Sequence, residues 1–214
     1  MKAIVIGGSG ATGKYLVRRL LADDRFDEIV LLLRKLTAET HPKLKQVIVD
    51  FDQLNDYAEQ IDGTVAFSCL GTTLKDAGSK EVQRKVDYDY QYNFAKIARQ
   101  NGVATFVLLS AQNANAKSSF FYSRMKGELE QSIGALAFNK LIIVQPGLLL
   151  RPGTERVVEK ISVKVLSAVN KVGLLKQYAP THVDQVAAAM IRYALSGISG
   201  IIRVKNNEIK DHRD

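Results

Sequence analysis

The hydrophobic positions of this chain fall into short runs separated by longer stretches in which they recur every three or four residues. The runs are Ala3 to Ile6, Ile29 to Leu33, Gln46 to Val49, Thr64 to Ser68, Thr105 to Leu109, Leu141 to Val144 and Gly200 to Val204. Short apolar runs of this kind suit strands covered on both faces, as in a parallel sheet. Between them, Leu16, Val17, Leu20 and Leu21 stand at helical spacing, and Leu54 and Tyr57 begin a further helical pattern. From Glu81 to Gln100 the positions Val82, Val86, Tyr90, Phe94, Ile97 and Ala98 describe one helix face, which Asn101-Gly102 stops. Val157, Val158, Ile161, Val165, Leu166, Val169 and Val172 describe another, with Lys160, Lys164 and Lys171 largely off it. Pro180-Thr181-His182-Val183-Asp184 caps a last helix through Val186, Ala187, Met190 and Ile191, and the residues from Asn206 read as a polar, mobile tail. Strands alternating with helices predict an α/β fold, a doubly wound and mostly parallel sheet with helices on both faces.

Composition adds limits rather than direction. The 214 residues carry no linker or low-complexity tract, so a single domain spanning 1–214 is expected. No apolar run approaches the ~20 residues of a membrane helix. A strand at the very N-terminus leaves no room for a signal peptide, and with Cys69 as the lone cysteine a cytoplasmic location is expected. Net charge is +8, with nine basic and nine acidic side chains in residues 1–60 but eleven against six in residues 151–214. No arginine-rich run or basic patch with interleaved aromatics accompanies the excess, so neither a nucleic acid nor a membrane is expected as partner.

The chemistry starts at Gly7-Gly8-Ser9-Gly10-Ala11-Thr12-Gly13, between the first strand and the first helix. Glycines at 7, 10 and 13 let the chain turn, let a pyrophosphate approach the backbone, and let helix pack on strand. The helix N-terminus then offers free N–H groups to the phosphates. About twenty residues on, the second strand stops at Arg34-Lys35. Where an acid would take a ribose 2′-hydroxyl, two cations favour a 2′-phosphate and hence NADP(H) over NAD(H). Asp50, at the end of the third strand, either meets the adenine or caps the helix that follows. Gly71 lets the chain lie against the cofactor. Cys69 reads as a small structural residue and His182 as a helix-start residue without catalytic role.

The second constellation is Tyr122 and Lys126, at i and i+4 on one helix face, with Ser110 at a strand end upstream. A free tyrosine titrates near about 10, so proton transfer near neutrality needs an adjacent ammonium group. A strand-end hydroxyl can hold the carbonyl being reduced.

These motifs together resemble the short-chain dehydrogenase/reductases, in particular the atypical Tat-interacting-protein-like subgroup. The likeness runs in order through the glycine turn, Val49-Asp50-Phe51-Asp52-Gln53-Leu54, Cys69-Leu70-Gly71-Thr72-Thr73, Val86-Asp87-Tyr88-Asp89-Tyr90, Tyr122-x-x-x-Lys126-Gly127-Glu128 and Pro146-Gly147. It implies a Rossmann fold with NADP(H) lying along Gly7, Ser9, Gly10, Ala11, Thr12, Gly13, Arg34, Lys35, Asp50, Phe51, Leu70 and Gly71. It further implies Tyr122 as proton donor, Lys126 on the nicotinamide ribose while lowering the tyrosine pKa, and Pro146-Gly147 beside the nicotinamide. Residues 148–180 would cover the substrate. Two departures stand out: Ser110-Ala111 replaces the subgroup's usual pair of serines, and Gln145 replaces its arginine before Pro-Gly. Either Ser110 takes the carbonyl-holding role, or Thr73, Gln112 or Asn113 orients the substrate, with Thr72 contributing. The expected activity is NADPH-dependent reduction of a small carbonyl compound. The alternative is a non-catalytic NADPH-binding redox sensor or interaction protein with a protein partner.

Overall fold

The computed structural model describes residues 1–151 and 180–210. The helix face expected between Val157 and Val172, and with it most of the covering segment 148–180, lies outside the described residues. In chain order the elements are β1 (Lys2–Ile6), α1 (Ala11–Ala22), β2 (Glu28–Leu33), β3 (Leu44–Ile48), a 3-10 segment (Phe51–Gln60), β4 (Val65–Ser68), α2 (Leu74–Ala77), α3 (Lys80–Arg84), a π turn (Lys85–Asp89), α4 (Tyr90–Gln100), β5 (Thr105–Leu109), α5 (Phe121–Gly134), β6 (Lys140–Gln145), β7 (Leu149–Leu150), β8 (Thr181–His182), α6 (Val183–Leu195), β9 (Gly200–Lys205) and α7 (Asn206–Ile209).

Seven strands form one sheet in the order β3-β2-β1-β4-β5-β6-β9, and all its pairings are parallel. β7 and β8 form a separate two-stranded ribbon. The chain moves outward from β1 to β3 and then crosses back to place β4 on β1's other side. That reversal opens a crevice at the carboxyl ends of β1 and β4, where doubly wound sheets hold their ligands.

Because β1 and β2 are buried on both faces, their residues feed two cores in alternation. Ala3, Val5, Leu31 and Leu33 meet Leu16, Val17 and Leu20 of α1 and Val186 and Met190 of α6. Ile4, Ile6, Val30 and Leu32 meet Phe94 and Ala98 of α4 and Leu129 and Ile133 of α5. Each fully buried leucine or isoleucine contributes about 1.5–3 kcal/mol. α1 and α6 are also joined at the surface by a forked pair, Arg19 donating through Nε and Nη2 to the two Asp184 carboxylate oxygens at 2.7 Å each.

Two expectations fail. The helical face drawn through Val82, Val86 and Tyr90 is not the inner one: Gln83, Asp87 and Gln91 are buried at that level, and Val82 is 46% exposed. This helix is broken into α3, a π turn and α4; Gln83 and Asp87 of its polar stripe line the functional crevice, and Gln91 is satisfied by the Ser68 hydroxyl and the Asp87 carbonyl. The tail from Asn206 is likewise ordered at its start. Asn206 and Ile209 are each 1% exposed, because the Asn206 Oδ1 accepts from the Gly147 N–H and the Thr181 hydroxyl, at 2.8 Å each, and Ile209 completes the core.

Candidate active site

The crevice begins at the glycine turn. Gly7 has φ +74°, and a Cβ there would lie 2.4 Å from the Cys69 carbonyl carbon. A Cβ on Gly13 would lie 2.1 Å from the Gly7 carbonyl oxygen, so first strand, turn and helix are packed backbone on backbone. Gly10 is the N-cap of α1 and supplies no capping side chain. The first-turn N–H groups of this twelve-residue helix, with the positive end of its dipole, therefore face the crevice wall formed by Gly10, Ala11 and Thr12. This is the donor set a pyrophosphate requires.

From there a cavity of about 730 Å³ runs across the ends of β4 and β5. Its wall includes Leu70, Gly71, Thr72, Thr73 and Leu74 from the segment after β4, Ser110, Phe120, Tyr122 and Lys126 from the segment after β5 and α5, and Leu149 and Arg151. Lys126 is 2% exposed, and its ammonium stands 3.0 Å from Asp87 Oδ1 and 6.0 Å from the centre of the Tyr122 ring. Tyr122 itself is 42% exposed and open to the cavity. Asp87, 1% exposed, accepts the Thr72 N–H through Oδ2 at 2.8 Å. The Thr72 carbonyl accepts in turn from Gln83 Nε2 at 3.2 Å. Removing one partner of such a buried ion pair costs about 3–5 kcal/mol, since the other charge is then stranded.

Ser110 reaches the cavity wall, but its hydroxyl donates to Glu130 Oε1 at 2.5 Å. Gln145 Nε2 donates to both oxygens of that carboxylate, at 2.9 and 3.1 Å, and Arg203 Nε lies 3.7 Å from it. A guanidinium is thus present near the site although position 145 carries none; it comes from the neighbouring strand β9. Thr73 lines the cavity while its hydroxyl caps α2, accepting from the Asp76 N–H at 3.1 Å and donating to Asp76 Oδ2 at 2.8 Å. Gln112 and Gly147 pack together, the Gln112 N–H donating to the Pro146 carbonyl at 2.9 Å, and neither Pro146 nor Gly147 is in the cavity wall.

A second cavity, of about 610 Å³, lies on the outer side of the turn between Gly8, Ser9, Lys14, Arg18 and the loop Thr37-Ala38-Glu39-Thr40. Arg34 and Lys35 are exposed just past β2. Asp50 takes the capping role, its Oδ1 accepting from the Asp52 N–H at 2.9 Å. Phe51 is buried, with its ring 5.4 Å from that of Tyr90. Cys69 is buried 3.9 Å from the Met190 sulfur, and burial pushes its thiol pKa up to about 12, which suits a structural residue.

The site residues that sequence reasoning missed are Asp87, Gln83 and Glu130, with Lys14 and Arg18 at the second cavity. Gln83, Asp87 and Gln91 repeat at i+4, the spacing of a polar helix face, and that signal was readable beside the apolar one. Among the described residues no cluster of His, Cys, Asp and Glu could hold a metal ion.

Residues 7–193 match the protein family described as NAD(P)H-binding. Protein HTATIP2 of Rattus norvegicus is 40% identical over 159 residues, 70% of this chain, and the match spans 65% of the rat protein's length. The mitochondrial protein FMP52 of Meyerozyma guilliermondii is 37% identical over 199 residues, covering 91% of this chain and 86% of the yeast protein. Among solved structures, an oxidoreductase of the short-chain dehydrogenase/reductase family from Burkholderia thailandensis superposes with a TM-score of 0.69 at 19% identity, covering 98% of this chain and 93% of that one. MoeE5 in complex with UDP-glucuronic acid and NAD superposes with a TM-score of 0.73 at 15% identity, covering 95% and 75%. Among the described residues no helix is long and apolar enough to cross a membrane. The chain therefore belongs to the NAD(P)H-binding family, and its fold is of the Rossmann type.

Proposed function

We propose that this protein is an NADPH-dependent oxidoreductase that reduces a small, largely apolar carbonyl compound. The observation that carries this reading is the placement of Tyr122 and Lys126 in the wall of the same cavity that starts at the uncapped N-terminus of α1. The residues present fit a nicotinamide dinucleotide. The open helix terminus and the glycine turn suit its pyrophosphate, and the cavity past Leu70 and Gly71 has room for its nicotinamide half. The preference for NADPH is supported by Arg34 and Lys35, exposed just past β2, and by Lys14 and Arg18, which line the second cavity beside Ser9 together with Glu39, the ion-pair partner of Arg18.

When bound, the cofactor supplies a hydride. The protein's own part is then orientation and proton supply. Lys126 holds the nicotinamide ribose, and the Tyr122 phenol stands ready to give its proton to the carbonyl oxygen. Leu70, Leu74, Leu109, Phe120 and Leu149 give the cavity an apolar wall and favour an apolar substrate. A panel of aldehydes, ketones and quinones, followed by NADPH oxidation, tests the reading. We expect at least one to be turned over by wild type and not by Tyr122→Phe; turnover surviving in that variant would remove Tyr122 from the mechanism.

A second reading, a non-catalytic NADPH-binding sensor that meets a protein partner, is favoured by one specific observation. The Ser110 proton is given to Glu130 rather than offered to a substrate carbonyl. Capture of one defined partner only in the presence of NADPH, with no turnover across the panel, would favour it. For location we propose a reducing compartment, which suits a lone buried thiol: the cytoplasm, or the mitochondrion named for the fungal relatives.

A further inference from the structure

We propose that Asp87 is a positioning residue for the nicotinamide half of the cofactor site: its one buried carboxylate fixes the Lys126 ammonium and the Thr72 backbone together. The proposal rests on the reading of Lys126 as the group that holds the nicotinamide ribose.

The two carboxylate oxygens are divided between two elements. Oδ1 holds the Lys126 ammonium of α5 at 3.0 Å, and Oδ2 holds the Thr72 N–H of the loop after β4 at 2.8 Å. Both side chains of the ion pair are almost completely buried, at 3% and 1% exposure. Asp87 also has its own supports. It sits in the π turn between α3 and α4, and its carbonyl accepts from Gln91 Nε2 at 2.8 Å, while Gln91 Oε1 accepts from the Ser68 hydroxyl at 2.8 Å. π turns widen a helix locally and recur at functional sites. The network therefore runs from the end of β4, through the helix that carries Asp87, to the lysine.

A lysine side chain has several free torsions, and ordering one on ligand binding is costly. Here the ordering is done beforehand by the carboxylate, which uses one of the ammonium's three donors and leaves others for the ligand. Among the described residues, the charged groups lining the same cavity are Asp76, Lys80 and Arg151, besides the pair itself. The adenosine end of the site, by contrast, is built from the glycine turn and the second cavity, which Asp87 does not touch. An effect transmitted through Lys126 should consequently be confined to ligands that carry the nicotinamide ribose.

The test is calorimetric titration of NADPH, NADH and adenosine 2′,5′-bisphosphate into wild type, Asp87→Asn, Lys126→Met and the double variant. Loss of a charge-assisted contact predicts that Asp87→Asn weakens NADPH and NADH by about tenfold or more, with bisphosphate affinity within about twofold of wild type. The double variant should be no weaker for NADPH than Lys126→Met alone, because both substitutions remove the same lysine contact. Unchanged NADPH affinity in Asp87→Asn, equal loss of the bisphosphate, or additive losses in the double variant would each overturn the proposal. If Asp87→Asn does not fold, Asp87→Glu keeps the charge on a longer arm. It is expected to lose NADPH affinity and keep bisphosphate affinity, and full NADPH affinity in it would overturn the proposal. Wild type that binds neither dinucleotide would refute the cofactor reading itself, an outcome separate from a wild type that binds beside an unaffected Asp87→Asn.

Discussion

Alanine at Gly7 and alanine at Gly10 should separate the two duties of the glycine turn. Gly7 has φ +74°, and an added Cβ would lie 2.4–2.6 Å from the backbone of Cys69 and Leu70. The left-handed backbone costs about 1–2 kcal/mol and the overpacking about 1–3 kcal/mol, so Gly7→Ala should lose about 2–5 kcal/mol. That is a large part of the ~5–15 kcal/mol typical of a folded domain. Gly10 differs: its φ of −75° is open to alanine, and the nearest atom to an added Cβ is the Gly7 carbonyl oxygen at 3.2 Å. As a change of N-cap alone, Gly10→Ala should cost about 1 kcal/mol or less. Its methyl group would nonetheless stand in the cavity wall where the phosphates approach, so NADPH affinity should fall by about tenfold or more. Urea unfolding gives the first quantity, with a midpoint shift of about 1–2.5 M for Gly7→Ala at a slope near 2 kcal/mol/M. Titration with NADPH gives the second. A Gly7→Ala protein within about 0.5 kcal/mol of wild type would refute the packing argument. A Gly10→Ala protein with full NADPH affinity would refute the placing of phosphates at this turn.

Further outcomes follow from the same geometry. Burial holds the Cys69 thiol near about 12, so iodoacetamide at pH 8 should leave native protein unmodified and label it fully in denaturant; rapid native labelling would contradict the buried placement. The Arg19 hydrogen bonds lower the Asp184 pKa below the ordinary carboxylate value. That stabilisation is present above the unfolded value and is lost as pH falls through the lower, folded one. Since the pair is 42% and 45% exposed, Asp184→Asn should cost less than about 1 kcal/mol at pH 7 and reduce the loss of stability below about pH 4, as urea unfolding at both pH values would show.

Much of the sheet was legible because its strands are buried on both faces and so appear as unbroken apolar runs, and the glycine turn stands between the first of them and an amphipathic helix. Tyr122 and Lys126 were legible because helical spacing is local. The partners of those residues were not, because they are distant in sequence: Lys126 meets Asp87, Ser110 meets Glu130, and Gly147 meets Asn206. The helix after β4 misled for a different reason. Two stripes, each repeating every four residues and offset by one, run along it, one apolar through Val82 and Val86, the other polar through Gln83 and Asp87. The usual rule buries the apolar stripe, but here the polar one faces a site that supplies its hydrogen bonds. The end of the chain misled because Asn206 is polar and buried, and only its acceptance from Gly147 and Thr181 makes that tenable.

That a nicotinamide dinucleotide lies across this crevice, with Arg34 past the end of β2 meeting its 2′-phosphate, is best tested by titrating NADPH and NADH into wild type and Arg34→Ala. The expected result is micromolar or tighter binding of NADPH, weaker binding of NADH, and an Arg34→Ala variant that loses affinity for NADPH alone. Absence of binding for both dinucleotides in the micromolar range would contradict it, and would leave the glycine turn as a device of folding only.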